Sequence, residues 1–399
     1  MTFAESVSGA VGASYTSREV PAGVRALRQA LIAQREYTLA LYADLPPQYW
    51  VPGQFPVGAT VNPPLWELAH IAWFQEFFAL RWRADDVGGS RIASCLDVAD
   101  RLFDSRSVAH QTRWHLDYPS KESCFDYLQR VLDHVLDALD KSADKDRYGF
   151  QLVLLHEDMH AEALAMTLTT LGLPLPAVAP LRSKLAAAAG TSPDIHLAGG
   201  MLRMGARAGT FGFDNEKPSY HLQIEPFDIA ARVVSADEFA AFRASRAYRD
   251  PLMWSSEGNT WRERSGHINR HPASVGASTE LAALHVNYFE AEAFCRAQHR
   301  RLPTEAEWEC AATSSDQFLD STGHVWEWTA SPFAPYPGFQ AERYREYSEP
   351  SFDAPGAPHQ VLKGGSFVSH SRLKYPQYRN FYAPARSDMF CGFRTCAIS

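Results

Sequence analysis

The sequence lacks the features that mark several large classes of protein. Its six cysteines include no Cys-x-x-Cys pair, a usage typical of reduced thiols and a cytoplasmic location. The formal charge of -8 leaves no basic surface for nucleic acid. No apolar run reaches the roughly 18 residues of a membrane span, and residues 1–16 lack the basic and apolar regions of a signal peptide. We therefore expect neither a nucleic acid nor a membrane as a partner.

Composition divides the chain into two parts. With 399 residues, of which 46% are hydrophobic and 21% charged, the chain is long enough for two ordinary domains. Prolines between residues 174 and 180 and an alanine-rich run after them mark the boundary. We predict a flexible arm at 1–20, a helical domain at 21–180, a linker at 181–194 and a mixed, loop-rich second domain at 195–399.

Helical periodicity recurs in the first domain over residues 24–45, 63–83, 122–139 and 150–171. The last pattern stops at Gly172 and Pro174, which are typical of helix ends. Together these patterns predict a four-helix bundle, a fold that builds metal sites from side chains on facing helices. In the second domain we predict helices at 287–298 and 304–312, the latter from a Thr-x-x-Glu capping box.

The fourth helix contains His156 and His160, which a helix places one turn apart on the same face. Apolar neighbours turn this face toward the core, where two unpaired imidazoles would cost solvation energy. His70 lies on an apolar face of the second helix with Trp66 and Trp73. We interpret the three histidines as candidate metal ligands. Taken alone, His70 fits a hydrogen-bonded core histidine, which is the commoner role of such a residue.

The histidine pair also matches the His-Glu-x-x-His pattern of zinc proteases, in which Glu157 would be the general base. That pattern is short, and such an enzyme takes its third ligand from further along the chain. Here the aromatic-flanked candidate, His70, lies upstream on another helix. A zinc hydrolase is therefore kept as an alternative function.

Five motifs of the second domain resemble the formylglycine-generating-enzyme/sulfatase-modifying-factor family, which has a C-type-lectin-like fold. They occur in family order as VNYFEA at 286–291, RLPTEAEWE at 301–309, GHVWEWT at 323–329, GGSF at 364–367 and GFR at 392–394. The first domain resembles a DinB-like bundle. Together they resemble the non-haem iron sulfoxide synthases of ergothioneine and ovothiol biosynthesis and their relative, selenoneine synthase. The resemblance implies an α+β fold, with an N-terminal DinB-like four-helix bundle and a C-terminal C-type-lectin-like domain.

The family holds one Fe(II) with three histidines, and the matching positions are His70, His156 and His160. The resemblance implies an oxidoreductase that uses O2 to join a sulfur or selenium donor to C2 of the imidazole of hercynine (Nα-trimethylhistidine). In the family a tyrosine donates the proton or hydrogen. Tyr344 is the first candidate for this tyrosine and Tyr347 the second, since both lie in the matching segment. The formylglycine-generating oxidases are excluded, because the cysteines that follow their Gly-Gly-Ser motif are missing from residues 366–374.

Segment 375–386 resembles the family's substrate-binding run, with aromatic faces for the quaternary ammonium of hercynine and an arginine for its carboxylate. The candidate substrate-binding residues are Asn380, Phe381, Tyr382, Arg386, Tyr378, Met159 and Arg113. Two depart from the family pattern, since Met159 replaces a glutamine and Tyr382 an acidic residue. Loop 104–115, which in the family clamps the carboxylates of γ-glutamylcysteine, has only Arg106 and Arg113. This pattern resembles selenoneine synthase, with a selenosugar, 1-selenoglucose, as the donor.

Two other functions stay open. One is an ergothioneine-type sulfoxide synthase that joins hercynine to cysteine or γ-glutamylcysteine. The other is a lectin-like binding protein with a vestigial metal site, which would consume no O2. The expected partners are hercynine with a selenosugar or a thiol, and the chain is expected to be a monomer or a homodimer.

Overall fold

The computed structural model describes residues 20–83, 92–143, 147–176, 193–265, 282–318, 325–352 and 358–398. The predicted arm at 1–20 and the predicted linker at 181–194 lie almost entirely outside these residues. Gly323 and His324 of the third motif also lie outside them. A helical first half is followed by a mixed half of helices and short strands, so the predicted α+β class is confirmed.

Helices form the described part of the first domain and follow the four predicted patterns. They are α1 (Val24–Tyr42), α2 (Pro64–Gln75), the short α3 (Ala99–Leu102), α4 (Lys121–Asp140) and α5 (Tyr148–Thr170). Helix α2 continues as a π-helical segment, Glu76–Arg81. Helices α1 and α2 each pack against both α4 and α5, which makes the bundle. The chain between them also forms 3-10 turns at Pro47–Trp50 and His110–His115.

Helix α5 lies between the two domains. Its apolar residues surround the helix instead of forming one stripe, a pattern typical of a helix buried on all sides. Leu152 and Leu155, for example, have no exposed surface. One side of α5 packs against α1 and α2, and another contacts the turn Ser371–Leu373 of the second domain.

Among the described residues, the second domain contains three small sheets, with strand orders β1-β4-β10-β5, β2-β3 and β8-β7-β6-β9. The pairs are antiparallel except for β6 with β9, which is parallel. The strands are β1 (Asp194–Leu197), β2 (Gly200–Met204), β3 (Tyr220–Ile224), β4 (Phe227–Ala230), β5 (Arg300–Arg301), β6 (Trp326–Pro332), β7 (Gln360–Lys363), β8 (Asn380–Tyr382), β9 (Cys391–Gly392) and β10 (Cys396–Ala397).

Helices of the second domain surround these sheets. They are α6 (Ala236–Ala244), α7 (Arg246–Arg249), α8 (Ser256–Arg264), α9 (Tyr288–Ala297), α10 (Glu305–Ser314) and α11 (Arg345–Phe352). Both predicted helices are confirmed as α9 and α10, and each begins at a capping box that satisfies its first backbone N–H groups. Helix α11, which carries Tyr347, was not predicted. None of the described helices is both long and apolar enough to cross a membrane.

The two domains share one apolar core and a buried ion pair. A continuous cluster of buried apolar side chains runs from Leu27 of α1 to Phe393. Within it, the guanidinium of Arg372 donates two hydrogen bonds to Asp158 of α5, at 2.8 and 2.6 Å. Asp158 is 1% exposed, so this pair is held away from water and bridges the domains.

A second polar bridge centres on Glu162 of α5. Its carboxylate accepts three hydrogen bonds of 2.7 Å from the second domain, donated by the side chains of Trp326, Ser366 and Ser369. Ser366 is the serine of the Gly-Gly-Ser motif, and Ser369 follows it three residues later. This carboxylate therefore fixes the second domain against α5.

We expect Asp158→Asn to lower the free energy of unfolding by about 3–5 kcal/mol, because the substitution leaves the buried Arg372 guanidinium without its counter-charge. The matched control is Asp140→Asn, which breaks an exposed pair with Arg28 at 3.0 Å and should cost under about 1 kcal/mol. Denaturant unfolding followed by circular dichroism measures both. Equal losses in the two variants would contradict a structural role for the buried pair.

Candidate metal centre and adjoining cavity

The three predicted histidines converge. The ligand nitrogens of His70, His156 and His160 all lie within 4.8 Å of one another, and Nε2 of His156 is 3.1 Å from Nε2 of His160. Two nitrogens bound at right angles to one metal, with bonds of about 2.1 Å, would be roughly 3 Å apart. The spacing of the pair therefore fits one metal ion, with His70 of α2 as the third ligand.

The ring of His70 is fixed from behind. Its Nδ1 donates to the carbonyl oxygen of Phe103 at 2.8 Å, and the ring stacks on Trp66 with centroids 4.7 Å apart. This hydrogen bond leaves Nε2 free to bind a metal. Burial, together with the neighbouring His160, lowers the pKa of His70 to about 3, so the imidazole is neutral, as a metal ligand must be.

His160 and His156 are oriented in different ways. Nδ1 of His160 bonds to the carboxylate of the buried Glu67, a pairing often found behind metal-binding imidazoles. Burial raises the pKa of Glu67, but the charge and hydrogen bond of His160 outweigh it and bring this pKa below its ordinary value. His156 stacks face to face on Phe74, with centroids 3.4 Å apart. Burial and the other two histidines hold the pKa of His156 well below its ordinary value.

The structure argues against the zinc-hydrolase interpretation. Glu157 has no exposed surface and is occupied within the bundle. Its carboxylate accepts from Arg35 at 2.8 Å and from Gln75 at 2.7 Å. A general base must reach a water on the metal, whereas this carboxylate neutralises a buried arginine.

A cavity of about 410 Å³ begins at His160 and lies between the two domains. Its lining includes all of the predicted catalytic and substrate-binding residues except Arg113, namely Tyr344, Tyr347, Met159, Tyr378, Asn380, Phe381, Tyr382 and Arg386. These residues come from α5, α11 and β8 and from the loops beside them. The fold thus collects residues that are more than 200 positions apart in sequence beside one candidate metal centre.

The two candidate tyrosines make different contacts. The Tyr344 ring lies edge-on to His156, with centroids 5.9 Å apart, and packs on Phe74 at 4.7 Å. The hydroxyl of Tyr347 lies 3.1 Å from that of Tyr378. Burial raises the pKa of both Tyr344 and Tyr347, so both hydroxyls are protonated at neutral pH. Tyr344 is the better placed of the two to act at the metal.

Aromatic rings form the far side of the cavity. Phe381 stacks on Phe333 with centroids 3.9 Å apart. The guanidinium of Arg386 lies 4.5 Å from the centre of the Tyr382 ring and donates to Asp388 at 3.0 and 2.6 Å. Such faces and one oriented guanidinium suit a ligand that carries both a quaternary ammonium and a carboxylate.

Arg113 does not belong to the described lining of this cavity. Its guanidinium covers Trp66 at 3.6 Å from the ring centre and donates to Asn62 at 2.8 Å. Because Trp66 in turn stacks on His70, Arg113 supports the metal centre from outside. The prediction that it contacts substrate has no support from this position.

Sequence reasoning missed several lining residues, among them Thr60, Glu162, Trp326, Glu346 and His359. Glu346 lies between the two predicted tyrosines, and Glu162 lies two positions after His160. An acidic residue within an apolar helix was the available signal for Glu162. No local signal pointed to Thr60 or His359, which only the packing of the chain brings to the cavity.

A larger groove, of about 590 Å³, lies elsewhere on the second domain beside β4, α6 and α9. Its two arginines are already paired, Arg232 with Glu238 at 2.8 Å and Arg300 with Asp194 at 2.8 Å. The described lining of this groove contains no histidine. The smaller cavity beside the histidines is therefore the candidate functional site.

Comparison with known families agrees with this architecture. Residues 183–319 and 314–398 match the Sulfatase-modifying factor enzyme 1-like domain, and residues 30–165 match the DinB superfamily. The two matches together cover both halves of the chain, including the three histidines and most of the cavity.

Two similar proteins match this chain over nearly its whole length, and a third matches about half of it. The hercynine oxygenase of Mycolicibacterium thermoresistibile is 30% identical over 442 aligned positions, which cover 92% of this chain and 94% of that protein. The hercynine oxygenase of Mycolicibacterium smegmatis is 29% identical, over 92% of this chain and 97% of that protein. Ergothioneine biosynthesis protein 1 of Schizosaccharomyces pombe is 24% identical, over 46% of this chain and 27% of that protein.

The likeness extends over both domains, and the site residues come from both. The chain is therefore an enzyme of the oxidoreductase class that belongs to the hercynine oxygenase family, in which a DinB-type bundle is joined to a sulfatase-modifying-factor-like domain.

Proposed function

We propose that this protein is a non-haem iron enzyme that uses O2 to join C2 of hercynine to the selenium of a selenosugar, 1-selenoglucose. The C2–H and Se–H bonds break, a C–Se bond forms, one oxygen atom ends on selenium and the other leaves as water. The observation that carries the proposal is the three-histidine cluster beside an aromatic cavity. Family membership supports hercynine as one substrate, because the relatives are named as its oxygenases.

Iron would be held by His70, His156 and His160, and it would supply the O2 chemistry. Three neutral imidazoles fit Fe(II) and leave coordination positions open. The protein's own contribution is to hold the two organic substrates at short range and to exclude bulk water from them. The protonated hydroxyl of Tyr344 would deliver a proton or hydrogen where oxygen is reduced.

Hercynine would lie on the aromatic side of the cavity. The ring faces of Phe381 and Tyr382 would hold its trimethylammonium group. Arg386, oriented by Asp388, would receive its carboxylate, and the side chain of Asn380 would contact its polar end. These assignments follow the resemblance and the positions of the residues on the cavity wall.

The charges of the cavity favour a neutral donor. Among the described lining residues Arg386 is the single guanidinium, whereas Glu162 and Glu346 supply two carboxylates. Arg106, a remnant of the predicted arginine loop, is paired with Asp104 at 2.8 Å. γ-Glutamylcysteine carries two carboxylates, which these groups would repel. Sugar hydroxyls instead donate hydrogen bonds to carboxylates.

Glu346 is the side chain best suited to this discrimination. Its Oε2 has no hydrogen-bond partner among the described residues, and its Oε1 lies 3.6 Å from Arg106. This buried oxygen thus has an unused acceptor position, which a hydroxyl of the donor would fill. A thiol acid remains the second candidate donor, favoured by the identity to relatives named for hercynine and ergothioneine chemistry.

The direct test is turnover of hercynine with 1-selenoglucose under O2, run beside cysteine and γ-glutamylcysteine on the same iron-loaded protein. We expect coupled O2 consumption and product with the selenosugar, detected by mass spectrometry. Product from the thiol acids alone would establish the ergothioneine-type alternative. No O2 consumption with any donor would indicate a binding protein instead.

Tyr344→Phe is expected to lower kcat by about 100-fold or more, the range for removing a positioned proton donor. Tyr347→Phe, which removes a hydroxyl that lies 3.1 Å from the hydroxyl of Tyr378, should lower kcat less. Single-turnover rates with saturating substrates measure the difference, and iron content is checked in both variants. A larger loss in Tyr347→Phe would exchange the roles of the two tyrosines.

Glu346→Gln is expected to lower kcat/KM for 1-selenoglucose by roughly tenfold or more, the size of a lost charge-assisted hydrogen bond, while cysteine becomes a better donor. The matched control on the same helix is Glu349→Gln, since Glu349 pairs with Arg345 at 2.7 Å and lies outside the described lining. Competition between the two donors gives the ratio directly. An unchanged ratio would mean that Glu346 does not select the donor.

A further inference from the structure

A second, very small cavity lies behind the metal centre. It measures about 10 Å³ and is enclosed by residues of α1, α2 and α5 and of the segment between α1 and α2. Its polar lining residues are Tyr42, Asn62, Glu67 and Thr167. An internal water needs roughly 10–15 Å³ and two to four polar partners. The cavity has the size and the chemistry for one water molecule.

Two buried polar atoms at this cavity have no hydrogen-bond partner among the described residues. They are the hydroxyl of Tyr42, which is 3% exposed, and Oε2 of Glu67, which is 5% exposed. An unsatisfied buried group of this kind costs about 1–3 kcal/mol. Two such atoms on the wall of one small cavity are most simply satisfied by the same bridging molecule.

The other oxygen of Glu67 already holds the metal ligand. Oε1 bonds to Nδ1 of His160, so the carboxylate stands between the metal centre and the small cavity. Asn62 also lines the cavity. Its amide oxygen accepts from Arg113 at 2.8 Å, and its side chain helps to lower the pKa of Glu67 through a hydrogen bond.

We infer that one water in this cavity joins the Tyr42 hydroxyl to Oε2 of Glu67, and that Tyr42 is thereby a positioning residue for the metal ligand His160. The water donates to Glu67 and accepts from Tyr42. With both oxygens engaged, the Glu67 carboxylate cannot turn about its χ angles. The imidazole of His160 keeps one tautomer and one orientation, with Nε2 directed at the metal.

The inference rests on the proposed metal site, and Tyr42→Phe tests it in the full chain. The ring packs on Trp50 with centroids 5.6 Å apart, and phenylalanine keeps that packing while removing the hydroxyl. We expect the dissociation constant for Fe(II), measured by anaerobic chelator competition, to rise about tenfold, within the range for losing an outer-shell partner. The visible spectrum of the Co(II)-loaded protein should change as well, because it reports ligand orientation.

The matched control is Tyr37→Phe. Tyr37 lies on the same helix and also has a buried hydroxyl without a hydrogen-bond partner among the described residues, but it does not line the small cavity. This variant should bind Fe(II) as the unmodified protein does. Equal weakening by both substitutions would indicate a general effect of altering α1 and would overturn the inference.

A double-mutant cycle separates positioning from packing. If Tyr42 acts through Glu67, Tyr42→Phe should cause no further loss of Fe(II) affinity in a Glu67→Gln background. A loss that persists there, or an unchanged affinity in the single variant, would overturn the inference. If the unmodified protein binds no Fe(II), the proposed function fails as well. Tight Fe(II) binding that is indifferent to Tyr42 refutes only the role of Tyr42.

Discussion

Helix α5 carries several polar side chains into the core, and the structure depends on each of them having a partner there. A buried polar group without a hydrogen bond or a counter-charge would lower the free energy of unfolding. The helix turns by about 100° per residue, so these side chains point in different directions. Glu157 binds Arg35 within the bundle, Asp158 binds Arg372 across the domain boundary, and Glu162 binds the second domain. The remaining face turns two imidazoles toward α2. One helix therefore supplies two of the three histidines of the candidate metal centre and contacts both domains.

The candidate substrate cavity lies at the boundary that these contacts create. Its walls come from α5 on one side and from α11 and β8 on the other. Glu162 binds Ser366 and Ser369, so the serine of the Gly-Gly-Ser motif and the segment after it anchor the second domain to the bundle. In the formylglycine-generating oxidases that segment would carry reactive cysteines. The same loop on the same fold thus has a structural role here, which shows why function must be read from the site.

The metal centre could be predicted in part from local geometry. A helix places His156 and His160 on one face at a fixed separation, so their convergence needed no tertiary information. The inclusion of His70 required α2 to pack on α5, and family resemblance supplied it. Arg113 shows the limit of such transfer. The sequence match made it a candidate for substrate contact, whereas its guanidinium covers Trp66 and it does not belong to the described lining of the cavity.

By itself the sequence determined the principal helices of the bundle, the two capped helices of the second domain and the histidine pair, since each follows from periodicity, capping or one helical turn. The α+β class followed from the resemblance of its motifs to a known family. Only the tertiary structure decided that Glu157 is a structural counter-ion, that Glu346 and His359 reach the cavity, and that Tyr42 and Glu67 enclose a space of about 10 Å³. The reason is physical: local patterns set the direction of a side chain on its own element, whereas burial, charge partners and cavities arise between elements distant in sequence.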